Sequence, residues 1–185
     1  MHTLSTHASS SSAPLAGRLA VIAAAFLAEA AHLAWEAAHG GIVSHHLLAD
    51  PSLPALWNGW GLLVVPVLAW IASSRLVRPT VHGWRLRGDA LLRLAGAMLA
   101  GGALAGAFAA GRSDVTGMLF IAIAASGLVL RVYRIEYLLG FVLGMAWTFG
   151  AVLPTLVGSV IALGSAAAWF GAWRLARHVM MRIRG

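Results

Sequence analysis

The chain has 185 residues, 60% of them hydrophobic and only 10% charged, with thirteen arginines, no lysine, six acids and no cysteine. A soluble domain carries roughly a quarter charged residues, so a water-soluble globule is excluded. So are a disulfide framework and a thiolate metal site. The formal net charge of +7 does not point to nucleic acid, because the arginines flank apolar runs instead of forming one basic soluble face.

Residues 1–15 read as a tail, with the low-complexity run Ser9 to Ser12 closed by Pro14. Apolar runs follow at about 17–39, 57–74, 90–110, 115–131, 137–153 and 155–173, each near the roughly 20 residues that cross a bilayer. They are continuous, without the period-two alternation of a barrel strand. The predicted fold class is therefore all-α: a polytopic membrane protein, a bundle of about six transmembrane helices. Residues 16–175 form its single domain, and 176–185 form a basic cytoplasmic C-terminus.

Arginine placement sets the orientation. In a six-helix chain the side of the N-terminus carries Arg18, Arg75, Arg78, Arg85, Arg87, Arg93, Arg131, Arg134, Arg174, Arg177, Arg182 and Arg184. The other side carries only Arg112. The positive-inside rule then places both termini in the cytoplasm and residues 40–56 outside an inner (plasma) membrane. That outer loop holds Asp50 and two histidines but no arginine. Arg18, Leu19 to Ala28 and the small-residue step Ala28-Glu29-Ala30 imitate a cleaved signal peptide. An uncut helix is preferred, because the pattern continues through His32 and Trp35.

Small residues predict close packing. Gly102-x-x-x-Gly106 and Gly140-x-x-x-Gly144 let backbones approach, within the bundle or, alternatively, between copies of the chain. Pro66 is expected to bend the second helix, and Pro154 to suit the turn between the fifth and sixth. Trp57 and Trp60 mark the outer interface, Trp169 and Trp173 the inner one. Arg131, Tyr133, Arg134 and Glu136 form an inner belt, while Asp89 and Asp114 start helices.

The segment richest in chemistry is the end of the first helix. Glu29, His32, Glu36 and His39 follow spacings of 3, 4 and 3, which at about 100° per residue confines them to a wedge of roughly 80°. Glu29 lies roughly 16 Å along the helix from Arg18, near the bilayer midplane. Each buried acid costs on the order of 2.5–3.5 kcal/mol to insert, so the wedge must face the bundle or a wet cavity. Gly40-Gly41 ends the helix and lets the chain fold back, bringing His45 and His46 over the wedge.

His32, Glu36, His39 and one of His45 or His46 form a candidate site for one divalent metal. Without thiolates, zinc, iron or manganese suits it better than Cu(I). Two Glu-x-x-His units resemble di-iron bundle motifs, but here they share one helix, about 10 Å apart, too far for a metal pair. Histidine and glutamate in His32-x-x-x-Glu36 resemble, over five residues, the spacing in the emopamil-binding sterol isomerase family; that family's activity is not carried over.

The first expectation is a metal-dependent membrane enzyme acting on a lipid-like or apolar substrate. Glu29 and Glu36 act as its acid–base groups, and Trp35 and Asn58 as substrate contacts. The alternatives are a proton or metal-ion transporter and a non-catalytic subunit of a larger membrane complex. The structural alternative is that the polar wedge only bonds the first helix to its neighbours, with Asn58 a helix cap.

Overall fold

The computed structural model describes residues 12–46 and 52–184, with the backbone alone for 12–13 and 173–184. Asp50 and the first eleven residues of the expected tail lie outside the described residues. Six helices follow one another: α1 (Ser12–Ala38), α2 (Gly61–Leu76), α3 (Gly88–Ala109), α4 (Ser113–Val129), α5 (Ile135–Phe149) and α6 (Val152–Arg184). α1, α3, α6 and the stretch Asn58–Leu76 are each long and apolar enough to cross a membrane. α4 and α5 are shorter apolar helices. Large apolar side chains face outward all round, among them Leu92, Met118, Val129 and Leu163, each at least 70% exposed. In water that surface would aggregate; in a bilayer it is the lipid contact. The chain is an all-α polytopic membrane bundle.

Two boundaries differ from those read in the sequence. α1 begins at Ser12, not near residue 17, because proline is tolerated in a first helical turn, where its missing N–H has no partner to lose. α6 continues through the basic segment to Arg184 instead of ending near residue 173. Pro154 lies in the first turn of α6, and Pro66 lies inside α2.

The loops on either side of α2 hold short antiparallel hairpins, at opposite ends of the bundle. β1 (Ser44–His46) pairs with β2 (Ala55–Trp57), in the register Ser44↔Trp57, His45↔Leu56 and His46↔Ala55. β3 (Val77–Thr80) pairs with β4 (Gly83–Leu86) across a two-residue turn. Gly83 has φ +134° there, a conformation that favours glycine. A 3-10 turn, Asn58–Trp60, leads from β2 into α2.

α3 and α5 make the closest helix pair, and glycine is the reason. A Cβ on Gly140 would collide with the carbonyl of Leu94, and one on Gly144 with that of Met98. From the other side, a Cβ on Gly101 would lie 2.6 Å from the carbonyl of Phe141. The Gly140/Gly144 face thus packs inside the bundle. On α3 its counterpart is Gly101, since Gly106 has nothing within 4 Å of the place a Cβ would take. Val65, Ala69, Ala72, Leu76, Leu139 and Val142 belong to the main buried core between α2 and α5.

Candidate functional site

Glu29, His32 and Glu36 are buried on one face of α1, at 2%, 4% and 7% exposure. Glu29 fits between α1 and α2 because the facing residue is Gly61, the first of α2; a Cβ there would collide with the Glu29 carboxylate. His32 lies between the two acids. Its Nδ1 is 3.8 Å from Glu29 Oε2 and its Nε2 is 3.3 Å from Glu36 Oε1. Neither ring nitrogen, nor Glu29 Oε1, has a hydrogen-bond partner among the described residues. The Trp147 ring, from α5, covers His32 at 5.0 Å between centroids.

Glu36 is the better-held acid. The Asn58 side-chain amide donates to its Oε1 at 2.7 Å, and the Val43 backbone N–H donates to its Oε2 at 3.2 Å. Its backbone carbonyl also accepts the N–H groups of His39 and Gly41, both at 3.0 Å. Gly40 and Gly41, at φ +125° and +105°, turn the chain back over the helix end as their sequence implied. The Asn58 N–H then bonds the Val43 carbonyl at 3.0 Å, which fastens the hairpin to the site.

The five histidines and acids expected around one metal divide into two groups. His32 and Glu36 meet, and His45, half-buried on β1, lies within the electrostatic reach of Glu36. Burial pulls the His45 imidazole below its ordinary value, and the neighbouring Glu36 carboxylate partly offsets this. His39 is exposed, bonded through Nδ1 to the Trp35 carbonyl at 2.8 Å and stacked on the Trp35 ring at 4.4 Å. His46 is exposed and bonded to the Leu53 carbonyl at 2.8 Å. Among the described residues, no group of three or more histidines and acids converges as metal ligands do. The reason is local: α1 ends at Ala38, and His39 lies at the edge of the helical wedge, where it joins Trp35 on the outside.

The face does not continue as one polar stripe to Arg18. The Arg18 guanidinium donates to Ser73 Oγ at 3.0 Å and lies over the Trp70 ring at 4.7 Å. Ala25, Val65, Leu68 and Ala69 form a buried apolar layer in the core between α1 and α2.

Trp147, Gly61 and the Val43 N–H carry no sequence signal tying them to α1, since contacts made across the fold leave no local pattern. A second polar centre was equally hidden. Glu136, fully buried at the start of α5, accepts from Arg93 at 2.9 Å, and Arg93 also bonds Asp89 at 2.7 Å. The other members of the expected inner belt divide: Arg131 stacks over Trp169 at 4.7 Å and Tyr133 lies against Phe170. An apolar cavity of about 600 Å³ opens between α3, α4, α5 and α6, with Arg93, Ser126 and Tyr137 as its polar members. None of Glu29, His32, Glu36 or Asn58 lines it. No family model, no curated protein and no solved structure matches this chain.

Proposed function

We propose that the chain is a membrane enzyme that moves a proton to or from an apolar or lipid-like substrate at the Glu29–His32–Glu36 site. One observation carries this reading: an imidazole held between two buried carboxylates, with both ring nitrogens free of hydrogen bonds among the described residues. Such a group can take a proton from one side and pass it to the other without leaving its place. Asn58 and the Val43 N–H fix Glu36, so His32 and Glu29 are the groups left to exchange protons with a substrate. Trp35 and Trp147, 5.0 Å apart and roughly half exposed, form the apolar approach to His32 from the bilayer. The apolar layer toward Arg18 disfavours a proton path through the bundle, and so the transporter reading.

A metal-dependent form of the enzyme is the second reading. The His32 nitrogens, unpartnered among the described residues, and the electrostatic reach of Glu36 to His45 favour it. Zinc, iron or manganese would take His32 and Glu36, with His45 as the further imidazole, and would polarise a substrate oxygen. The orientation that goes with both forms has the termini cytoplasmic and the site in the outer half of an inner membrane.

The test is turnover in D2O of membrane lipid extract by the full chain in proteoliposomes, read by mass spectrometry. A deuterium-bearing product is expected from wild type and not from Glu29→Gln or His32→Gln. Elemental analysis of active, untagged protein separates the metal form from the metal-free one. Glu29-dependent proton flux under a pH gradient, without turnover, would overturn the enzyme in favour of transport.

A further inference from the structure

We propose that the β3–β4 hairpin is a binding surface for anionic phospholipid headgroups in the leaflet on its own side of the bilayer. The first ground is its register. Arg78 and Arg85 stand directly opposite each other across the two strands. Like charges in that position oppose pairing, and an anion bound between them removes the conflict.

The second ground is the lack of internal compensation. No acid occurs from Arg75 to Arg87, a stretch that carries four arginines. Among the described residues, Asp89 and Glu136 are engaged by Arg93, and Asp114 by Arg112. Glu29 and Glu36 flank His32. Arg87 shares Asp89, but Arg75, Arg78 and Arg85 form no ion pair among the described residues. Nothing in this chain's described part neutralises the hairpin.

The third ground is placement. Trp84 packs on α1, where a Cβ on Gly17 would lie 2.5 Å from its ring and 2.8 Å from Val77. Strand alternation puts Val77, Pro79, Trp84 and Leu86 on one face and Arg78, Thr80 and Arg85 on the other. The apolar face is therefore the one seated on α1, and the arginine face is turned away from it. The Arg87 N–H bonds the Leu76 carbonyl at 2.8 Å, closing the hairpin directly onto the ends of α2 and α3. Those helices are long and apolar enough to cross a membrane, which puts a hairpin joining their ends at headgroup depth. Val81, at its tip, is 94% exposed, an apolar residue suited to the acyl boundary. Two adjacent guanidiniums present forked donors to phosphate oxygens, the geometry in which arginine surpasses lysine.

The experiment is native mass spectrometry of the full chain in detergent, titrated with phosphatidylglycerol, with phosphatidylcholine and with inorganic phosphate. Phosphatidylglycerol should be retained in preference to phosphatidylcholine. The R78Q/R85Q variant should lose about fivefold per arginine, about 25-fold together, while R112Q at the other end of the bundle retains wild-type binding. In phosphatidylcholine nanodiscs R78Q/R85Q should melt no lower than wild type, and only wild type should gain stability when phosphatidylglycerol is added. Equal retention by R78Q/R85Q overturns the proposal. Displacement by millimolar inorganic phosphate also overturns it, in favour of a free-phosphate site. Neither outcome bears on the proton-transfer site, which lies at the opposite end of α2.

Discussion

Asn58 and Glu36, 22 residues apart in the chain, meet across the seam between α1 and α2, with the amide donating to the carboxylate at 2.7 Å. The bond closes the segment that carries the β1–β2 hairpin, and it fixes the acid that bounds His32 on one side. Gly150, at the end of α5, makes room for it; a Cβ there would collide with the Asn58 side chain. Three elements thus converge on one amide.

Asn58→Leu should therefore destabilise the protein by about 1.5–3 kcal/mol, since it strips the donor from a buried carboxylate while keeping the branching of the side chain. Reversible unfolding in mixed micelles measures this. Equal stability of variant and wild type would show that the bond adds nothing to folding.

The α3–α5 contact predicts a sharp contrast among glycines. Gly140→Ala and Gly144→Ala insert a methyl group into the backbones of Leu94 and Met98 and should each cost about 1–3 kcal/mol. Gly106→Ala, with open space around it, should be neutral or stabilise by up to about 1 kcal/mol. Melting temperatures of the three variants in one detergent check the order, and a damaging Gly106→Ala would contradict it.

His45 makes the hairpin sensitive to acid. Its folded-state value is lowered by burial, so in a window just below about 6.5 the unfolded hairpin binds more protons than the folded one. The stabilisation is complete above that value and falls as pH drops through the window toward the lowered folded value. Hydrogen exchange of the β1–β2 amides, corrected for intrinsic rates, should show more opening at pH 5.5 than at pH 7.5. His45→Gln should abolish that pH effect, and a pH effect that survives the substitution assigns it elsewhere.

The two hairpins lie at opposite ends of the bundle. Cysteines introduced at Ser44, on β1, and at Thr80, on β3, should label from opposite faces of intact cells, with Ser44 outside. Labelling from one face would end the six-span topology, and the reverse pattern would invert the orientation.

What could be read in the sequence was whatever repeats locally. Long apolar runs announce helices, and the 3–4 spacing of Glu29, His32 and Glu36 already requires a shared protected face. His39 obeys the same spacing yet lies outside, because Ala38 is the last residue of α1 and Trp35 offers a stacking partner. Strands of three or four residues are too short for alternation to show, so both hairpins passed as plain loops. Arg93 and Glu136 are 43 positions apart, and no short-range pattern links them.

The α3–α5 pair has a consequence for synthesis. The helix that fills the glycine groove of α3 is not the next one made but the one after it, so α4 leaves the ribosome while that groove is still open. α4 finds its own contact on α3 first, and its final anchor, the Ser165 hydroxyl donating to the Gly127 carbonyl at 2.7 Å, comes later still, from α6. Assembly is therefore not strictly vectorial. A nascent chain stopped before residue 135 presents Arg93 without Glu136 and a bare helix groove to the insertion machinery. Substitutions at Gly140 or Gly144, which obstruct the α3–α5 contact, would prolong that half-made state.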